Sequence, residues 1–522
     1  MSYLNSQIIL CKGVKMDRSY TSVCDMSLSD MLTMVNSSGI YLDSRSHYSF
    51  IRQTEVINAD FNYSDAVVAN YIAFQNPDYS NKWFFAWIDD VEYKGEKNVN
   101  IKFTVDQWST WFNDLQKLPC LVEREHVDDD TFGRHNLPEP VGTDKMIVNF
   151  TNYKHYNNFK IVVFWMEAQV TSEAVGYALN GLFNTPANAF QYDNGVIGIS
   201  DLLSDLAPGG EIANGNILSV HMVPVDFIPE QFRNGKYLPV QNETVADVVT
   251  MPAPTNLNGY VPINKKVLTY PYNFITVSNG NLEKIFKYEK FGYVSEGAGS
   301  FKIVGGVIPN GGATVYPMAY DGVVYENVPE SMDLGDFPMM PIATDTYAAW
   351  LAQKSSGTIA RGILSTLTGA IAGGMKGSWP GAIAGGAAGL ISGITGYVSE
   401  SEAARSENDR VTGTNNTTID MVQGLMGYTF CQKCMVADDA KRVDNFFSQF
   451  GYNVSTVKIP NYTGRQYWNY VKINGNAGYG PLPEQARETI NAVLNKGVTI
   501  WHSHSYMGNY LIGGSKMENP IV

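Results

Sequence analysis

The highest density of charge in the sequence lies in VEREHVDDD, residues 122–130. If this stretch forms a β-strand, side-chain alternation places Glu123 and Glu125 on one face and Arg124 and His126 on the other. Two neighbouring carboxylates can transfer protons in catalysis, or they can hold an arginine across a contact between subunits. Because no other part of the sequence forms a catalytic constellation, we predict a structural role for these four residues, at a subunit contact.

Three further groups of residues have side chains that metals prefer. They are Asp128, Asp129 and Asp130; Cys431 and Cys434; and His502 and His504. The aspartates are expected in a solvated loop, with calcium binding left open as an alternative because carboxylate oxygens suit that ion. A structural zinc site takes four ligands, and neither the lone CxxC motif nor the histidine pair supplies them. The sequence therefore predicts no metal.

The glycines before Lys376 do not form a phosphate-binding loop. Gly369 and Gly374 have the right separation, but Met375 comes between Gly374 and the lysine. Gly377 occupies the position where a serine or threonine must bind magnesium. No HExxH, GxSxG or GxGxxG context is present either. We therefore predict no cofactor and no enzymatic activity.

The composition limits the class of protein that must position these residues. A chain of 522 residues is expected to form two to four domains. With 44% hydrophobic and 17% charged residues it is not a disordered protein. The formal net charge of −14 argues against a surface that captures nucleic acid, which requires clustered Lys and Arg. Five cysteines are too few to indicate a disulfide framework.

Short strand-like runs separated by Pro, Asn and Gly recur along the chain and predict a mainly β, multi-domain protein. The clearest pair, WFFAWIDDVEY and VNIKFTV, is joined by a loop that contains glycine and predicts a β-hairpin. Only a few short helices are expected. They are predicted in SDMLTMV (29–35), DDAKRVDNFFSQF (438–450) and PEQARETINAVLNK (483–496).

The segment from Ser355 to Ser399 departs from this pattern, because it is rich in Gly, Ala, Ile and Leu. Two arms of 19 residues, 359–377 and 381–399, flank a turn at Trp379-Pro380. As helices the arms would each be about 28 Å long, close to the thickness of a bilayer's hydrocarbon core. The apolar residues of this predicted helical hairpin are Ile359, Ile363, Leu364, Leu367, Ile371, Trp379, Ile383, Leu390, Ile391, Ile394 and Val398.

Glycines in the same segment recur every four residues. They are Gly369, Gly373, Gly377, Gly381, Gly385, Gly389 and Gly393. On a helix this spacing forms a smooth stripe on which another helix can pack closely. In water each glycine destabilises a helix interior by about 1 kcal/mol relative to alanine. We predict a membrane-active segment that is hidden until use, with a flexible linker or an internal packed hairpin as the alternatives.

Five stretches near the two ends of the chain carry a resemblance to a known family. They are residues 70–112 (NYIAFQ to WSTWF), 118–140 (LPCLVEREHVDDDTFGRHNLPEP), 446–461 (FFSQFGYNVSTVKIPN), 465–473 (RQYWNYVKI) and 497–505 (GVTIWHSHS). In sequence and in order they resemble the tail knob, or distal tail tube, proteins of small short-tailed bacteriophages that infect mainly Gram-positive bacteria. With the regions around them they cover about half of the chain.

The resemblance implies a virion protein at the distal end of the phage tail, assembled in the host cytoplasm. It implies that six copies form a hollow β-rich tube, and that an apolar loop from each copy plugs the lumen and then perforates the host cell membrane. The implied partners are further copies of the chain, other tail proteins of the collar and tube, the host membrane, and double-stranded DNA that passes without specific binding. An acidic wall would repel the DNA phosphates.

The sequence patterns and the resemblance together predict four regions. They are an N-terminal β tube region (1–150), a central β region (151–350), the apolar membrane-active loop (351–410) and a C-terminal β/α region that completes the tube (411–522). Two alternatives stay open. One is a tail-associated hydrolase of cell wall or glycan, which needs two carboxylates about 5 to 9.5 Å apart. The other is an integral membrane protein with one helical hairpin.

Overall fold

The computed structural model describes residues 6–51, 55–143, 145–156, 158–166, 187–193, 196–206, 217–238, 241–279, 282–291, 298–307, 312–321, 332–336, 426–512, 514 and 516–522. The chain divides into two compact units. Unit 1 comprises Met1–Asp144, Gly259–Val267 and Ala437–Val522, and unit 2 comprises Lys145–Asn258 and Leu268–Val436. Unit 1 thus joins the N-terminal and C-terminal segments of the chain.

The described residues are mainly β, as predicted. The strands are, in chain order, β1 (Ile8–Cys11), β2 (Ser22–Cys24), β3 (Tyr41–Arg45), β4 (Ser49–Ile51), β5 (Val56–Ala59), β6 (Tyr71–Asn76), β7 (Lys82–Gly95), β8 (Asn98–Val105), β9 (Gln116–Lys117), β10 (Cys120–Glu125), β11 (Met146–Tyr156), β12 (Phe159–Met166), β13 (Ala187–Asp193), β14 (Ile217–Pro224), β15 (Tyr237–Leu238), β16 (Gln241–Met251), β17 (Asn273–Ser278), β18 (Glu283–Phe286), β19 (Gly299–Val307), β20 (Gly312–Pro317), β21 (Met332–Asp336), β22 (Met426–Met435), β23 (Tyr452–Lys458), β24 (Trp468–Asn474), β25 (Gly478–Tyr479) and β26 (Val498–Trp501). The α-helices are α1 (Leu28–Val35), α2 (Tyr63–Ala66), α3 (Gln107–Trp111), α4 (Val196–Leu206), α5 (Ala437–Phe450) and α6 (Glu484–Lys496).

Unit 1 contains a seven-stranded sheet whose two edge strands are consecutive in the sequence. Its order is β3-β1-β6-β7-β8-β5-β4. Residues 46–48 join β3 to β4, and this connection spans at most about 14 Å when extended. The edges of seven flat strands would lie about 29 Å apart. The sheet must therefore curl back on itself in the manner of a barrel.

The second sheet of unit 1 brings the two ends of the chain together. Its order is β2-β26-β24-β10-β23, so β10 pairs on both sides with strands that follow it by more than 300 residues in the sequence. A two-stranded ladder of β9 and β25 adds a further link. One continuous core lies beneath these elements and includes Trp108, Phe112, Val122, Val471, Ile490 and Ile500.

Unit 2 contains three four-stranded sheets among its described residues. Their orders are β11-β22-β17-β18, β14-β12-β13-β15 and β16-β19-β20-β21. Strand β22 pairs with β11 over ten positions of its length and with β17 on its other side. Residues 337–425 lie in the sequence between β21 and β22, which belong to two different sheets of this unit.

The helices and the hairpin follow from local sequence signals. The predicted hairpin is confirmed as β7 and β8, and the three predicted helices are confirmed as α1, α5 and α6. Ser27 caps the N-terminus of α1, and its side chain accepts a hydrogen bond from the Asp30 amide. Gly497 caps the C-terminus of α6 with a φ of 94° that other residues rarely tolerate. Helix α4 is absent from the predicted elements.

Candidate functional site

The charged stretch 122–130 lies at the end of strand β10, where a bulge interrupts the ladder. Val122 pairs with Ile473, yet Arg124 pairs with Lys472, so Glu123 is an extra residue in β10. The bulge shifts the alternation. The carboxylate of Glu123 forms an ion pair with Lys472 at 2.6 Å and stays partly exposed, whereas Glu125 is fully buried. The expectation that both glutamates share one face is therefore wrong.

Glu125 is held by two groups of unit 1. Its Oε2 accepts a hydrogen bond of 2.7 Å from the amide of Asn461, and its Oε1 forms an ion pair with the Lys458 ammonium. The side chain of Asn461 donates in turn to the His126 carbonyl at 3.1 Å. These contacts fix the turn that follows β23. They leave the carboxylate without the solvent access that an acid–base catalyst needs.

His126 connects three elements of unit 1 through both ring nitrogens. Its Nδ1 accepts a hydrogen bond of 2.7 Å from the Tyr470 amide in β24. Its Nε2 therefore carries the proton, which it donates to the Ser448 carbonyl of α5 at 2.9 Å. Burial, reinforced by the positive charges of Arg465 and Arg124, lowers the pKa of His126 to about 3. The imidazole is thus a neutral structural crosslink at physiological pH.

This burial predicts a pH dependence of stability. Because the unfolded histidine titrates near 6.5 and the folded one near 3, only the unfolded chain binds this proton between those values. Its contribution to stability is complete above pH 6.5 and falls by up to about 1.4 kcal/mol per pH unit below it. His126→Gln can keep one donor and one acceptor but cannot titrate. We expect a shallower loss of unfolding free energy between pH 6 and 4 in this variant, measured by denaturant titration. Equal slopes in the two proteins would contradict the prediction.

Arg124 belongs to a buried cluster of one carboxylate and two cations. Glu139, whose side chain is 1% exposed, forms ion pairs with the Arg124 guanidinium and the Lys266 ammonium. It also accepts a hydrogen bond of 2.9 Å from the Asn453 amide. Lys266 donates to the Leu137 carbonyl at 2.9 Å, and burial lowers its pKa while Glu139 opposes this shift. The sequence analysis did not identify Glu139 or Lys266, because no local spacing connects them to Arg124.

The three aspartates do not form a common site. Asp129 accepts hydrogen bonds from Thr131 and pairs with Arg134, as in a local turn. Asp130 accepts from the Tyr452 hydroxyl at 2.7 Å and from the Lys265 amide at 2.9 Å, and burial raises its pKa. Within the described ranges, no group of three or more His, Cys, Asp or Glu side chains is placed to hold a metal ion.

The cysteine and histidine pairs have separate environments. Cys431 and Cys434 lie three residues apart on strand β22, so alternation directs their side chains to opposite faces. His502 Nε2 lies 2.9 Å from the side-chain oxygen of Asn469, and His504 Nε2 accepts from the Lys15 amide at 3.0 Å. Burial lowers the pKa of both histidines. Each ring is thus engaged in a contact of its own.

The predicted apolar loop lies outside the described residues, with all of its named apolar and glycine positions. In the part of the chain that the structure does describe, no helix combines the length and the apolar character needed to cross a membrane.

Comparison with known proteins places this architecture in a family. Residues 236–514 match the family described as Bacillus phage phi29, tail knob protein gp9, C-terminal domain, and residues 4–116 match the Caudoviral major tail protein N-terminus. The tail knob protein gp9 of Bacillus phage phi29 is 24% identical over 532 residues, which covers 85% of this chain and 87% of that protein. Its counterpart in Bacillus phage PZA is 22% identical over 529 residues, with the same coverage of 85% and 87%.

A solved tail knob structure has a fold similar to that of this chain. The tail knob protein gp12 of bacteriophage C1 superimposes with a TM-score of 0.58 and 14% sequence identity, over 99% of this chain and 100% of the other. The matched family covers more than half of the present sequence, and the relatives extend the match over most of it. The chain therefore belongs to the tail knob protein family represented by gp9 of Bacillus phage phi29 and is a structural component of a phage tail.

Proposed function

We propose that copies of this chain form a closed hollow tube at the distal end of the tail, through which the DNA leaves. In this proposal the apolar segment from Ser355 to Ser399 plugs the lumen and then perforates the host cell membrane. The observation that carries it is the pair of apolar arms of bilayer length within a tail knob protein. Glycine stripes would let the arms of several copies pack closely while they are stored.

The topology of unit 2 supports a loop that is separable from the fold. The segment is inserted between β21 and β22, and β22 is held by β11 and β17 on its two sides. Residues 337–354 and 400–425 flank the apolar segment, and together with Ser355 and Ser356 they would still connect the two strands if residues 357–399 were removed. We therefore expect the described strands to form without a contribution from the arms.

The remaining assignments are part of the same proposal. The subunits form a closed ring of six, which removes the exposed strand edges on which aggregation would start. The ring contacts collar and tube proteins of the tail, and an acidic lumen lets DNA slide. The tube comprises 1–150 and 411–522, with 151–350 between them and the loop at 351–410. Of the four residues proposed at a subunit contact, Glu123 has the most exposed side chain, at 35%.

Deletion of Gly357 to Ser399 tests this proposal directly. We expect the shortened protein to form the same rings as the wild type in negative-stain images, because the strands on both sides keep their partners. Acidified wild-type protein should release dye from liposomes, and the deletion variant should release none. Equal dye release by the two proteins would show that the segment is not membrane-active and would favour a linker or an internal packed hairpin. The absence of rings from both proteins would refute the tube.

A further inference from the structure

A nine-residue segment of unit 1 is flanked in the sequence by unit 2 on both sides. This segment, Gly259–Val267, follows Asn258 and precedes Leu268, which both belong to unit 2. We call it the strap. The chain thus leaves unit 2 at its start, lies against unit 1 for nine residues, and returns.

One carboxylate of helix α5 holds the centre of the strap. Asp444 is 1% exposed and accepts hydrogen bonds from the Tyr260 hydroxyl at 2.7 Å, the Ile263 amide at 2.8 Å and the Asn264 amide at 2.9 Å. The Asn264 side chain also donates to Asp444 Oδ1 at 2.8 Å and to Ser448 Oγ at 2.8 Å. A charged acceptor makes each of these bonds stronger than its neutral counterpart.

Two further carboxylates of unit 1 hold the end of the strap. Asp130 accepts from the Lys265 amide at 2.9 Å, and Glu139 pairs with Lys266. The strap itself carries two lysines and no acidic residue, so its charge complements the three carboxylates beneath it.

Apolar packing contributes little to this docking. Val261 is 60% exposed and Ile263 is 36% exposed, so of the strap's aliphatic side chains only Val267 is buried. Polar contacts with a few carboxylates can open without exposing a large apolar area. The attachment of the strap is therefore mainly polar, through Asn264 and Lys266, whose side chains are each 5% exposed.

We propose that the strap is a latch, which can detach reversibly from the rest of unit 1, and that Asp444 is the residue that holds it in place. When the strap is docked, residues 259–267 are held against the rest of unit 1. The chain connects to unit 2 on both sides of them. Released, it adds nine residues to those connections, which amounts to roughly 30 Å of extended chain. The strap and its partners all lie among the described residues, and their contacts do not depend on whether the apolar segment enters membranes.

Hydrogen exchange of the full-length protein, followed by mass spectrometry, tests the latch. Asp444→Asn removes the charge and one acceptor. Asp439→Asn in the same helix is the matched control, because it makes the same chemical change at a carboxylate that pairs with Arg442 in the first turn of the helix. We expect the amides of Ile263, Asn264 and Lys265 to exchange roughly tenfold faster or more in Asp444→Asn, while those of β24 and α6 keep their wild-type rates. The control should leave the strap unchanged.

Tyr260→Phe gives a milder test that does not alter the buried carboxylate. It removes one hydrogen bond from a partly exposed side chain, and we expect a smaller acceleration confined to the strap. Wild-type exchange of the strap in both variants would overturn the proposal. Acceleration of β24 and α6 by the same factor as the strap would overturn it as well, because Asp444 would then support the whole unit instead of a latch. Neither measurement uses rings or liposomes, so its failure is distinct from failure of the tube.

Discussion

Glu139→Ala is expected to lower the free energy of unfolding of unit 1 by about 3 to 5 kcal/mol. The carboxylate is the ion-pair partner of two cations, Arg124 and Lys266, whose side chains are 12% and 3% exposed. Without it, both positive charges stay in a poorly solvated place with no counter-charge, and the Asn453 amide loses its acceptor. The destabilisation arises mainly from these unpaired groups, and less from the lost attraction itself.

Denaturant titration followed by tryptophan fluorescence measures this change. Six of the nine tryptophans belong to unit 1, so the signal reports chiefly on that unit. Glu484→Ala is the matched control, since it removes an exposed ion pair with Arg487 and should change stability by less than about 1 kcal/mol. Adding Lys266→Met to Glu139→Ala should restore part of the loss, because one unpaired charge then disappears. A loss under about 1 kcal/mol in Glu139→Ala would show that water solvates the cluster.

The elements that the sequence predicted are those encoded by neighbours along the chain. The hairpin of β7 and β8 has alternating side chains around a loop with glycine, and α5 and α6 have apolar residues at helical spacing and a glycine stop. Helix α4 was not predicted, because it lies in a region whose composition favours strands and its sequence VIGISDLLSDL carries no strong start signal. Local signals are therefore sufficient for elements with clear ends.

The candidate site depended on information that local patterns do not contain. Glu123 and Glu125 are separated by a bulge whose presence depends on the partner strand β24. The fold brings Glu139 to Lys266 and Asp444 to Asn264 from stretches that are more than 100 residues apart in the sequence. Alternation along a strand predicts faces correctly only while the ladder is regular. Buried charged residues whose partners are distant in the sequence can be recognised only once the fold is known.

Gly385→Leu combined with Gly389→Leu is expected to abolish most membrane permeabilisation while lipid binding is kept. Both glycines lie on the four-residue stripe of the second predicted arm. Leucine makes the arm more apolar, so its partition into lipid should be equal or stronger. The same side chains prevent two helices from approaching closely, and a pore built by association of arms then fails to assemble. This variant should therefore bind lipid at least as well as the wild type but permeabilise it poorly.

Co-flotation with liposomes measures the binding, and dye release measures the pore. Ile383→Leu with Ala387→Leu is the control, because these positions have the same four-residue spacing and lie on the face of the predicted helix opposite Gly385 and Gly389. We expect the control to bind and to permeabilise like the wild type, and the glycine variant to release dye at least tenfold more slowly at equal bound protein. If both double variants permeabilise equally, close helix packing is not part of the mechanism. The arms would then disrupt the bilayer one at a time, by apolar insertion alone, and the regular glycine spacing would serve only their storage.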